Sequence, residues 1–83
     1  MNNKKRWYLA RHAAWRWQKF NGLENAQKFI EEVVHDAYRG LMDHYCQWRK
    51  GDQDGFNEWQ YVDMREEPPY PLGLILEIRS EDL

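Results

Sequence analysis

Tyr8, Arg11, Trp15, Arg16 and Lys19 fall within KKRWYLARHAAWRWQK, a stretch with six cations, three tryptophans and no acid. Cations interleaved with rings suit adhesion, because arginine, tryptophan and tyrosine dominate the energetics of protein interfaces. The same side chains would serve nucleic acid, the cations holding phosphates and an exposed ring stacking on a base. Tyr38 and Met42, farther along at the edge of a second apolar stripe, would extend such a contact to a partner or a second copy of the chain.

Charge decides between these readings. The first 20 residues carry six cations and no acid, while the rest of the chain sets six cations against fourteen acids, for a net charge of -2 and a pI near 5.9. Nucleic-acid-binding domains are typically basic overall. A protein partner is therefore the first expectation and nucleic acid the second. The basic segment can also dock on the acidic part of its own chain, with Trp15 and Tyr8 packed under the C-terminal segment. Lodging on an anionic membrane is a poor fit, since the apolar side of the segment has a ready partner in the helix that follows.

Other chemistries find less support. His12, His35 and His44 lack the spacing of metal ligands, and Cys46 follows His44 by only two residues. Glu31 and His35, four apart, make an ordinary helix-surface pair. The DQDG of residues 52–55 resembles the start of a calcium loop, but the register puts Lys50 in the first ligand position and Tyr61 in the last, where a carboxylate is required. One serine, no threonine and scattered glycines supply neither an activated nucleophile nor a phosphate-cradling loop. No enzyme, cofactor or metal is expected. The acids Glu31, Glu32, Asp36, Asp43, Asp52, Asp54 and Glu58 could imitate a phosphate backbone, but Lys28 and Arg39 interrupt them as on a normal solvated face.

The elements that would position these residues follow from periodicity. Eighty-three residues make one domain, 1–83, whose five tryptophans, five tyrosines and three phenylalanines compensate for a small core. A single cysteine rules out an intramolecular disulfide and suits a reducing cytoplasmic setting. There is no apolar run of signal-peptide or membrane-spanning length.

Residues 4 to 19, rich in Ala, Leu, Arg and Lys, predict a helix ended by Asn21-Gly22, with Leu9, Ala10, Ala13, Trp17 and Phe20 on its core side. Residues 23 to 48 predict a long second helix striped by Leu23, Ala26, Ile30, Val33, Val34, Ala37, Leu41, Tyr45 and Trp48. At about 1.5 Å per residue it would overhang so small a globule, bend near Gly40 or lean on a second subunit. NEWQYVDMRE and LGLILEIRS predict an antiparallel hairpin that lays Leu72, Leu74, Leu76 and Ile78 on the helix pair, with a short final helix from Pro71 as the alternative.

The expectation is a small α+β domain of two packed helices, the second one long, closed by a C-terminal hairpin or extended segment. Its expected role is non-catalytic binding, as an inhibitor or adaptor of the compact kind carried by bacteria and phages.

Overall fold

The computed structural model describes residues 6–12, 16–38, 40, 43–53 and 56–79. Of the residues expected to bind a partner, Trp15 and Met42 lie outside the described residues. The chain forms β1 (Arg6–His12), β2 (Gln18–Phe20), α1 (Leu23–Ala37), a 3-10 turn at Asp43–Tyr45, β3 (Cys46–Gln53), β4 (Phe56–Asp63) and β5 (Tyr70–Arg79). The strands make one antiparallel sheet in the order β2-β1-β5-β4-β3. This corrects the expected pair of packed helices. The described residues hold one α-helix, and the C-terminal hairpin is two strands of five.

The first segment is a strand rather than a helix because both of its edges are paired. Tyr8 lies opposite Phe20 of β2 and Glu77 of β5, and Ala10 opposite Gln18 and Ile75. Intrinsic helix preference of Ala, Leu, Lys and Arg amounts to tenths of a kcal/mol per residue, about the scale that tertiary pairing overrides. At a period of two, Tyr8, Ala10 and His12 turn to one face and Trp7, Leu9 and Arg11 to the other. Both faces of the strand thus receive large side chains, which one helical arc could not arrange.

The helix also stops earlier than its stripe suggests. Its fifteen residues span about 22 Å, matching the 23 Å short dimensions of the molecule. Tyr38 closes the last turn by donating its N–H to Val34 O at 2.8 Å, and Gly40 follows with a φ of 90°, a left-handed conformation that favours glycine. Residues 46 to 48, read as the end of the long helix, belong to β3. There Cys46 and Trp48 face the helix and Gln47 and Arg49 face away.

The core lies between α1 and one face of the sheet. Ala26, Ile30 and Val34, at i, i+4 and i+8, are fully buried and meet Ala10, Tyr61, Leu72 and Ile75. Tyr8, Phe20, Leu23, Phe29, Cys46, Trp48 and Trp59 close the margins. Phe20 and Phe29 stack with ring centres 5.1 Å apart, and Trp48 and Tyr61 with centres 4.8 Å apart. Helix and sheet lie close together at Gly73, where a Cβ would overlap Ile30 Cγ2 and come within 3.2 Å of Cδ1. A bulge between Tyr61 and Val62 shifts the β4–β5 register just past that point.

One consequence reverses an expectation about β5. Gly73 and Ile75 point to the helix, so Leu74, Leu76 and Ile78 point to the opposite side of the sheet. The leucine side of the strand does not cover the helix. Leu72, beside the bulge, belongs to the core.

Candidate functional site

The face of the sheet turned away from α1 is where the apolar and cationic side chains of the first segment converge. Across β1 and β5, Trp7 lies opposite Ile78, Leu9 opposite Leu76, and Arg11 opposite Leu74. All six are half-buried, and none of the apolar ones joins the helix-side core. The helix packs on the other side of the sheet, against Ala10, Tyr61, Leu72 and Ile75. Lys19 continues the row onto β2 opposite Leu9, while Glu58 and Gln60 continue it onto β4 opposite Leu76 and Leu74.

Two cations rest on rings at its margin. Lys19 Nζ sits 4.6 Å from the Trp7 ring centre, and the Arg11 guanidinium carbon 4.6 Å from that of Trp17. Such contacts hold long side chains in defined places and spread positive charge along an aromatic edge. The result is an aliphatic centre of Leu9, Leu74, Leu76 and Ile78 bordered by Trp7, Trp17, Arg11 and Lys19. Glu58 is the carboxylate on its far side.

Tyr8, Arg16 and Tyr38, the other described residues of the expected site, do not join this patch. Tyr8 is on the helix side, edge-on to Trp59 at 5.9 Å. Burial there raises its phenol above the usual pKa of 10.0, and the Glu77 carboxylate raises it further while Arg6 pulls it down. A polar chain crosses the same side of the sheet. Arg6 Nη1 meets Glu77 Oε2 at 3.1 Å, Asn57 Nδ2 donates to Glu77 Oε1 at 3.1 Å, and Lys50 Nζ donates to Asn57 Oδ1 at 3.2 Å. Part of the basic segment is therefore answered within the chain. Arg16 is exposed in the β1–β2 connection, and Tyr38, 42 % exposed, sets its ring edge-on to His12 at 5.8 Å. The proposed adhesive set is thus split, with Arg11 and Lys19 on the open face and Tyr8, Arg16 and Tyr38 elsewhere.

A second cluster joins the edge of α1 to β3 and β4. Trp48 Nε1 donates to Glu31 Oε2 at 2.8 Å, and His35 Nε2 and Tyr61 Oη share a hydrogen bond of 2.9 Å. With Glu32 and Cys46 these residues line a cleft of about 430 Å³. The spacing of Glu31 and His35 is visible in the sequence as a helix-surface pair. Their strand partners are not, because the helical spacing places Trp48 on the same helix. Among the described residues no group of three His, Cys, Asp or Glu side chains is placed to hold a metal ion, and no helix is long and apolar enough to cross a membrane.

At the other end of β4, Asp63 is buried and gripped by Arg65. The guanidinium Nε and Nη2 donate to the two carboxylate oxygens at 3.1 and 2.8 Å, and the Arg65 backbone N–H adds a bond of 3.0 Å. These bonds hold the Asp63 carboxyl below the ordinary 3.8. The same guanidinium lies 4.8 Å from the Tyr45 ring centre, fastening the β4–β5 connection to the turn before β3. Compared with protein-family models, curated proteins and solved structures, the chain matches none of them.

Proposed function

We propose that this is a small non-catalytic binding protein that docks another protein on the helix-free face of its sheet, acting as an adaptor or inhibitor. The observation that carries this reading is the orientation of β5, which turns Leu74, Leu76 and Ile78 away from the helix to join Trp7 and Leu9. An apolar centre bordered by tryptophan and arginine has the anatomy of a protein interface. A partner would remove the aliphatic row from water, and the Arg11 and Lys19 charges would meet acids at its border.

Nucleic acid fits this face less well. Stacking needs open ring faces, whereas one face of Trp7 and one of Trp17 are taken by Lys19 and Arg11. Glu58 on the same side would repel phosphates, and the chain as a whole is slightly acidic.

The test is a photoreactive benzoylphenylalanine placed at Leu74 in the full chain, irradiated in its native cell. A control probe is placed at Glu32, an exposed residue of the helix and so on the opposite side of the sheet. Discrete protein adducts at position 74, absent at 32 and lost on Leu9→Asp, support the proposal. An adduct of twice the chain mass identifies a second copy as the partner. Nuclease-sensitive adducts alone, or the same proteins captured from both positions, overturn it.

A further inference from the structure

A separate cavity lies on the helix side of the sheet, where the end of β1 meets α1. It measures about 580 Å³ and is lined by His12, Arg16, Gln18, Phe29 and Val33. That volume falls within the range of about 300 to 1,000 Å³ typical of small-molecule sites. Phe29 and Val33, four apart on one side of the helix, supply apolar wall. Gln18 begins β2, and Arg16 stands at the exposed margin.

His12 is the anomaly. It is only 7 % exposed, yet neither Nδ1 nor Nε2 has a hydrogen-bond partner. Its one described polar-aromatic neighbour, Tyr38, meets it through the ring edge rather than through a hydrogen bond. Buried polar side-chain atoms in native proteins are nearly always paired, and an orphaned pair on one ring calls for an explanation.

We propose that this cavity is a binding site for a small organic carboxylate with an apolar body. Imidazole N–H, the Gln18 amide N–H₂ and the Arg16 guanidinium are all donors, and the remaining lining is hydrocarbon. Donors bordering an apolar chamber match a ligand that is anionic at one end and greasy along its length. The carboxylate accepts from His12 and pairs with Arg16 in a charge-assisted contact, while its body lies along Phe29 and Val33. The site is distinct from the helix-free face, so this inference does not rest on the protein partner proposed there.

The experiment uses the full chain with uniform ¹³C and ¹⁵N labelling, titrated with 4-phenylbutyrate and, in parallel, with the uncharged 4-phenylbutan-1-ol. The expected result is saturable shifts of the His12 ring, Phe29 and Val33 resonances, with the acid binding about tenfold or more tighter than the alcohol. Arg16→Gln, an exposed substitution, should weaken the acid several-fold and leave the alcohol unchanged. His12→Phe, checked for an unchanged fold by its spectrum, should reduce that preference to about twofold or less. The proposal is overturned by absence of saturable shifts at these residues up to about 10 mM acid. It is overturned equally if acid and alcohol bind alike, which would mark an apolar crevice that holds water against His12, or if Arg16→Gln changes nothing.

Discussion

Gly73 of β5 lies directly against Ile30 of α1, with no room between them for a methyl group. The atom in the way, Ile30 Cγ2, is attached to a branched Cβ that itself would sit 3.5 Å from the added carbon. A branched side chain in a helix has one strongly preferred rotamer and cannot swing aside. Gly73→Ala should therefore destabilise the protein by about 1–3 kcal/mol through overpacking. Ile30→Ala alone should cost about 2–5 kcal/mol through the cavity it leaves. Combined, the two should cost less than the sum of the single effects, because the new methyl enters the space vacated. Urea unfolding of the four proteins measures the coupling, and strict additivity would show that helix and strand are not in contact here.

Neighbouring residues on β5 should respond very differently to truncation. Ile75 is completely buried against the helix, whereas Leu76 lies on the half-buried open face. Ile75→Ala should cost about 2–5 kcal/mol. Leu76→Ala should cost about 1 kcal/mol or less in the isolated chain. Equal losses in a denaturant series would mean that something covers the outer face within the monomer.

How far the fold was legible in the sequence depends on which period the residues could reveal. The stripe of Ala26, Ile30 and Val34 is unambiguous, and α1 forms where it predicts. Leu41, Tyr45 and Trp48 extend the same spacing by coincidence, while Cys46, Trp48 and Lys50 fit a strand equally well. Short apolar runs carry both periods at once. In the first segment Ala10 occupies the core side in either reading, so its burial distinguishes nothing. The strand is decided by partners far along the chain, Ile75 and Glu77 among them, and no local propensity reports them. The site suffered for the same reason. Arg11 and Lys19 are recognisable as adhesive residue types, but the expected helix pair draws Leu74 and Leu76 into the core, whereas the pairing of β5 turns them away from α1.

The hydrogen bond from Trp48 to Glu31 should be worth more than an exposed pair, because both groups are partly buried where the helix meets β3. Glu31→Ala leaves the indole N–H without its acceptor and should cost about 1–3 kcal/mol. Glu31→Gln keeps an oxygen at the same reach and should recover most of that loss. The Trp48 Nε1 proton resonance provides the readout. It should exchange faster with solvent in the alanine variant and stay protected in the glutamine one. Loss of protection in neither variant would place the indole N–H in some other hydrogen bond.

Acid should expose the contribution of Asp63. Its carboxyl titrates below the ordinary 3.8 because Arg65 donates to it from side chain and backbone. With the folded-state pKa below the unfolded one, the ionised form is favoured by folding. The stabilisation is complete above the unfolded value and disappears as pH falls through the folded one. Arg65 is half exposed, so salt will screen part of the effect. Thermal melts of the native chain and Asp63→Asn should thus differ most near about pH 7 and converge toward about pH 2, the native curve falling more steeply below about pH 4. Parallel curves across that window would show that the carboxylate gains nothing from the guanidinium on folding, and that the β4–β5 connection is held to the turn before β3 by the Met64 N–H bond to Tyr45 O and by the Arg65 guanidinium on the Tyr45 ring.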